Sequence, residues 1–88
     1  MIRVRFFGAL RRCADRDGFF ELPVDAGAIL SAGELKRILT SEFEKRGFRN
    51  DLALVSESVI ADDETILQDH EPVQVREGLA VLPPVCGG

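Results

Sequence analysis

The 88-residue sequence contains no tryptophan or tyrosine, a single histidine and only two cysteines. One histidine, His70, nearly excludes a histidine-based metal site, because such sites need several ligands. Cys13 and Cys86 are too few for the disulfide framework of a small secreted domain. No apolar run approaches the length of a membrane span, and the first residues lack the apolar core of a signal peptide. We therefore expect a cytoplasmic protein with reduced thiols, no metal and no membrane partner.

The charge and the glycine pattern argue against further classes of function. The formal net charge is −4, whereas domains that bind nucleic acid usually carry a basic face, so we expect no nucleic-acid partner. No glycine-rich phosphate-binding motif occurs, and no nucleophile stands in a pattern with a general base. A chain of this length forms one small domain with a modest core. The chain alone is therefore expected neither to catalyse turnover nor to bind a cofactor tightly.

Two segments carry clear secondary-structure signals. Ile2–Phe6 alternates apolar and charged residues, which is the period of a half-buried strand, and Gly8 is expected to end it. Ala32–Arg46 has apolar residues at helical spacing, which predicts an amphipathic helix. Ser31 and Glu34 have the spacing of a capping box at its start, and glycine follows its last residue.

Three further segments give weaker signals. Residues 9–14 could form one or two helical turns, and the following Asp-Arg-Asp-Gly is a turn signal. Residues 19–24 predict a second strand, close enough in sequence to pair antiparallel with the first. Residues 50–57 could be a short helix or an extended segment.

The C-terminal third predicts short strands separated by polar turns. Strands are expected at Val59–Ala61, 65–67 and 79–82, and a loop is expected at 69–72. Two strands, a helix and then short strands is an order typical of the β-grasp fold. We predict an α+β domain over residues 1–82, with a mixed sheet of about four to five strands packed on one main helix.

The predicted last strand is apolar on both faces. Leu79 and Val81 point to one side, and Ala80 and Leu82 point to the other. One helix covers only one side of a sheet, so the second apolar face indicates either a surface for a partner protein or a strand covered by loops.

The chain ends in a tail, residues 83–88, with the sequence Pro-Pro-Val-Cys-Gly-Gly. Pro83 and Pro84 fix φ and lack an N–H, so they favour an extended exit from the last strand. Gly87 and Gly88 lack Cβ and can enter a slot that excludes side chains. We expect a free carboxylate at Gly88, which needs activation, for example by adenylation, before it can act as an acyl donor. The alternative is a frayed terminus without a role.

Three segments resemble one protein family. Residues 6–11 (FFGALR), 59–66 (VIADDETI) and 80–88 (AVLPPVCGG) are similar to the small subunit of molybdopterin synthase, in the MoaD branch of the MoaD/ThiS sulfur carriers. The resemblance implies a ubiquitin-like β-grasp fold. It also implies that an E1-like enzyme uses ATP to adenylate Gly88, which is then converted to a thiocarboxylate. The large catalytic subunit would receive the tail, in a complex of two small and two large subunits, and transfer its sulfur to a cyclic pyranopterin precursor in molybdenum cofactor synthesis.

The resemblance also assigns roles to residues. Gly88 would carry the sulfur, with Gly87 as its slim neighbour. The other partner-binding positions would be Phe7, Leu82, Pro83, Pro84, Val85 and Cys86. Phe7 falls outside the alternation of the first strand, and a place at the rim of the core is the other interpretation.

Three other functions stay open. The chain could carry sulfur for thiamin synthesis or transfer RNA thiolation, although Pro-Pro-Val before the tail end resembles the molybdopterin branch. It could be a ubiquitin-like modifier joined through Gly88 to lysines of target proteins. It could also be an interaction module whose tail is idle.

Overall fold

The computed structural model describes residues 1–84. Its strands are β1 (Ile2–Phe6), β2 (Phe19–Leu22), β3 (Ile29–Ser31), β4 (Val59–Ala61), β5 (Ile66–Leu67), β6 (Pro72–Gln74) and β7 (Ala80–Leu82). Its α-helices are α1 (Ala32–Arg46) and α2 (Leu52–Glu57), and 3₁₀ segments lie at Gly8–Cys13 and Arg49–Asp51.

Five strands form one mixed sheet in the order β2-β1-β7-β4-β5. β1 and β7 are parallel, whereas the other neighbouring pairs are antiparallel. The predicted α+β class and the mixed sheet on one main helix are therefore confirmed, as is the antiparallel pairing of the first two strands. The last strand, β7, is the middle strand of the sheet.

Helix α1 packs on one face of this sheet around a cluster of aromatic rings. Phe43 is fully buried, with ring centroids 5.8 Å from Phe6, 5.3 Å from Phe20 and 5.4 Å from Phe48. The strands contribute every second residue to this core, so β1 shows the predicted alternation of buried and exposed positions. Burial of such rings is the main favourable term in a domain of this size.

The limits of α1 follow from its capping residues. The Ser31 Oγ accepts a hydrogen bond from the Glu34 N–H at 3.1 Å, and Glu34 Oε1 accepts one from the Ser31 N–H at 3.0 Å. These bonds lower the pKa of Glu34, chiefly through the backbone N–H of Ser31. Gly47 adopts φ +82° and ends the helix. The predicted capping box and both predicted ends of the helix are confirmed.

A second, two-stranded sheet was not predicted. β3 and β6 pair antiparallel, with Leu30 opposite Val73, and the predicted loop at 69–72 is wrong at Pro72, which begins β6. Proline is tolerated at the first position of a strand because no ladder N–H is needed there. Each strand has three residues, which is too short for an alternation to be recognised.

The two ambiguous segments are helical. Residues 50–57 contain the end of the 3₁₀ segment Arg49–Asp51 and then α2, and Val55 is the residue of α2 buried in the core. The predicted turns at 9–14 are the 3₁₀ segment Gly8–Cys13, which buries Leu10 and Cys13. Neither of the α-helices within residues 1–84 has the length and apolar character needed to cross a membrane.

Candidate functional site

The tail leaves the domain at the C-terminal end of β7. Leu82 ends the strand and is half-buried, Pro83 is half-buried and Pro84 is exposed. We call these three residues the tail root. The other predicted tail residues lie outside the described part of the chain: Val85, Cys86, Gly87 and Gly88.

Both neighbours of β7 leave it at the level of the tail root. In β1, Phe6 pairs with Val81, and the chain then turns into the 3₁₀ segment at Gly8, where φ is +57°. In β4, Val59 pairs with Leu82 and is the first residue of its strand. Pro83 has no N–H with which to extend either ladder. The chain therefore leaves the sheet after Leu82, at the end of the middle strand.

Gly8 lies directly against the tail root. A Cβ atom at Gly8 would be 3.0 Å from Cγ of Pro83 and 3.8 Å from its Cδ. The first distance is shorter than carbon atoms at van der Waals contact, so only glycine fits here without a shift of its neighbour. The sequence predicts that the first strand ends at Gly8 but does not reveal the contact, because the two residues lie at opposite ends of the chain.

The sheet face opposite α1, which we call the outer face, is apolar at its centre. Phe7 continues β1 in an extended conformation onto this face and is 39% exposed. Ile66 lies across the sheet from it on β5 and is 56% exposed. Half-buried Ala80 and Leu82 of β7 lie between them. These four side chains give the outer face an apolar centre next to the tail root.

Arg5 is stacked between two aromatic rings on the outer face. Its Cζ lies 5.7 Å from the ring centroid of Phe7 and 5.7 Å from that of Phe19. Arg3, also over Phe19, is paired with Glu77 at 3.3 Å, whereas Arg5 has no ion-pair partner within residues 1–84. The ring contacts place a cation beside the apolar centre of this face. Alternation predicts that both arginines are exposed, but not that they stack.

A buried carboxylate joins the 3₁₀ segment Gly8–Cys13 to the start of α2. Asp51 is 6% exposed and accepts hydrogen bonds from the guanidinium of Arg12 and, at 3.3 Å, from the Cys13 thiol. The Arg12 bond holds the pKa of Asp51 below its ordinary value. Burial, reinforced by Asp51, raises the pKa of Cys13 to about 11. The thiol is therefore protonated at neutral pH and is a poor nucleophile.

A shallow groove of about 640 Å³ runs along the exposed side of α1. Lys36 crosses it and donates a hydrogen bond to Asp69 Oδ1 at 2.9 Å, and exposed His70 lies at its rim. Arg37 and Glu44 also line it, so the charges of the two cations and two carboxylates cancel. Its lining therefore carries no net charge from lysine, arginine and carboxylate side chains.

Within residues 1–84, no three histidine, cysteine or acidic side chains lie close enough together to hold a metal ion. Comparison with known proteins adds no identification, because no family model matches the chain and no curated protein matches it. The candidate site thus consists of the tail root, its contact with Gly8 and the outer face beside them.

Proposed function

We propose that this chain is a ubiquitin-like sulfur carrier with a β-grasp fold, acting as the small subunit of molybdopterin synthase. The element order and the mixed sheet on one helix support the fold. The C-terminal motif, similar to that of the MoaD branch, supports the function. On this proposal the protein acts in the cytoplasm.

The observation that carries the proposal is the position of the tail root. β7 is the middle strand, both its neighbours turn away at its end, and Pro84 is exposed. The tail therefore follows directly on a strand that is paired on both sides. A carrier needs this combination, because the carboxylate of Gly88 must reach the active sites of other enzymes.

The proposed chemistry takes place at Gly88. A carboxylate is a poor electrophile, so an E1-like enzyme uses ATP to convert it to an acyl-adenylate and releases pyrophosphate. Hydrosulfide (HS⁻) then forms a C–S bond to the acyl carbon as the bond to AMP breaks, which leaves a thiocarboxylate. This chain supplies the acyl group and the narrow Gly87-Gly88 end, whereas the catalytic residues belong to the activating enzyme and to the large subunit. Transfer of sulfur to the pyranopterin precursor, followed by hydrolysis, restores the carboxylate.

The outer face is the proposed docking surface for the large subunit, in the assembly of two small and two large subunits. Phe7, Ile66 and Leu82 offer apolar area next to the tail root. Docking there would bring the tail and the surface into contact with the same partner. Apolar area of this kind contributes about 25 cal/mol per Å² removed from water.

Intact mass spectrometry of the protein purified from its own cells tests the chemistry. We expect a fraction whose mass shows exchange of one oxygen for sulfur, with the change confined to Gly88. A variant extended by one residue after Gly88 is the control, and it should lose both the mass change and cofactor synthesis. If the extended chain supports cofactor synthesis as well as the original, the carrier function is wrong. Gly-Gly remnants on lysines of other proteins would instead indicate a modifier.

A matched pair of isoleucine variants tests the docking surface. Ile66 and Ile29 are both well exposed, at 56% and 72%, but Ile29 lies in β3 of the other sheet. Ile66→Ala should weaken binding to the large subunit of the same organism about fivefold to tenfold, which is roughly 1 kcal/mol. Ile29→Ala should leave the affinity unchanged. Equal effects of the two substitutions in a calorimetric titration would contradict docking on the outer face.

A further inference from the structure

Two separate features of the structure favour glycine at position 8, the backbone conformation and the space beside Pro83. Its φ of +57° is a left-handed conformation that side chains with a Cβ adopt at a cost. Gly47 has the same feature, with φ +82°, but a Cβ there would meet nothing within 4 Å. At Gly8 the Cβ position is 3.0 Å from Cγ of Pro83. Backbone conformation alone thus explains glycine at Gly47, whereas Gly8 also makes room for the tail root.

The contact joins the ends of two neighbouring strands. Gly8 follows β1, and Pro83 follows the neighbouring strand β7, so the two residues lie side by side at the end of the sheet. Pro83 has a fixed φ and no N–H, so ring packing takes the place of a ladder hydrogen bond. A Cβ atom added to Gly8 therefore requires the Pro83 ring to shift by a few tenths of an ångström.

We infer that Gly8 and Pro83 form a seat that fixes the direction in which the tail leaves the sheet, and that Gly8 is a positioning residue for the chemistry at Gly88. The chemical consequence rests on the proposed function, but the seat itself does not. Residues 83–88 can reach about 20 Å when extended, so the direction of the root sets the region that Gly88 can reach. Misplacement of a reacting group by about 1 Å can cost a factor of about 100 in rate.

A spin label on Cys86 measures the direction of the tail without any partner. Cys13 is 7% exposed and has its pKa raised to about 11, so a thiol-reactive nitroxide at neutral pH should not label it. The mass of the peptide that contains Cys13 checks that it is unlabelled. Paramagnetic broadening of amide signals then reports which strands lie near the label. In Gly8→Ala, the ratio of the broadening near Phe7 to the broadening near Ile66 should change.

Gly47→Ala is the matched control, because it introduces the same methyl group at another left-handed glycine with open space around it. Its broadening pattern should equal that of the original protein. If Gly8→Ala also gives the original pattern, the seat is refuted. Should Gly8→Ala fold poorly, Pro83→Ala removes the proline ring from the same contact and should also change this ratio. An unchanged pattern in Pro83→Ala refutes the seat equally.

Turnover with the activating enzyme tests the positioning role. In ATP–pyrophosphate exchange, Gly8→Ala should lower kcat/KM about tenfold, and Gly47→Ala should stay within about twofold of the original. Equal rates for the two variants would overturn the positioning role. If the original protein itself is not adenylated, the proposed function fails, and the spin-label experiment still decides whether the seat exists.

Discussion

Replacement of Asp51 by asparagine should destabilise the domain at neutral pH and much less in acid. Asp51 occupies the N-cap position of α2, yet its side chain makes no capping hydrogen bond. One carboxylate oxygen accepts from Arg12 and the other from the Cys13 thiol. The side chain therefore connects two segments that are distant in sequence instead of stabilising its own helix.

The expected magnitude follows from the burial of Asp51. Asparagine has the same shape, but one carboxylate oxygen is replaced by an NH₂ group that would face either the Arg12 guanidinium or the Cys13 sulfur. A buried polar group left without a good partner costs about 1–3 kcal/mol. A domain of this length has a total stability of about 4–13 kcal/mol. The loss should lower the urea midpoint by on the order of 1 M.

The lowered pKa of Asp51 determines how the loss of stability in Asp51→Asn changes with pH. The folded state holds the pKa of Asp51 below its ordinary value of 3.8, so the carboxylate stabilises the fold at all pH values above that. As the pH falls below 3.8 and through the folded pKa, the original protein loses this contribution. Asp51→Asn has no such contribution to lose. The stability difference between the two proteins should therefore shrink as the pH is lowered to about 3 and below.

Urea unfolding of both proteins at neutral pH and in acid is the assay, with Asp63→Asn as the control. Asp63 also pairs with an arginine, Arg76, at 2.9 Å, but its side chain is 77% exposed. An exposed pair of this kind contributes little, so Asp63→Asn should change the stability by less than about 1 kcal/mol. The reasoning is refuted if the two variants lose equal stability at neutral pH, or if the loss in Asp51→Asn is undiminished in acid.

Three further predictions concern stability and reactivity. Phe43→Ala should cost about 3–5 kcal/mol in urea unfolding, because it leaves a cavity among three other aromatic rings, whereas Phe43→Leu should retain much of the stability. Ser31→Ala should cost about 1 kcal/mol through loss of the N-cap hydrogen bond, and an unchanged midpoint would contradict the capping box. Cys13 should resist alkylation at about pH 8, where a pKa near 11 leaves about one thiol in a thousand ionised. Modification of the Cys13 peptide at the rate of a free thiol would show that Cys13 is not buried.

The sequence was most informative where one pattern repeats over many residues. α1 offers a capping box, an apolar stripe over fifteen residues and a terminal glycine, and these signals agree on both of its ends. β1 alternates over five residues and is found as predicted. Both elements are set by local preferences that tertiary contacts reinforce.

The features that sequence could not give are contacts between distant residues. The pairing of β3 with β6 joins segments on either side of α1, and each is too short to show a period. Asp51 lies in a segment that the sequence leaves ambiguous, and only the fold brings Arg12 and Cys13 to its carboxylate. The approach of Gly8 to Pro83 depends on the parallel pairing of β1 with β7, which sequence spacing does not specify.

A variant can impair the tail either by unfolding the domain or by changing the direction of the tail in the folded protein, and the position of β7 distinguishes the two. Val81 is fully buried and is paired with Phe6 of β1 and with Ile60 of β4, so it cannot leave the sheet unless two ladders break. A core variant such as Phe43→Ala should therefore lower the fraction of folded protein while each folded molecule keeps its tail in the original direction. Variants at Gly8 and Pro83 lie beyond the last paired residues and should change the direction of the tail at nearly constant stability. For Gly8→Ala, the cost of a side chain at a left-handed position is first subtracted, as measured with Gly47→Ala. For both sets of variants, turnover with the activating enzyme is divided by the folded fraction obtained from urea unfolding. This turnover per folded molecule should fall only for the variants at Gly8 and Pro83.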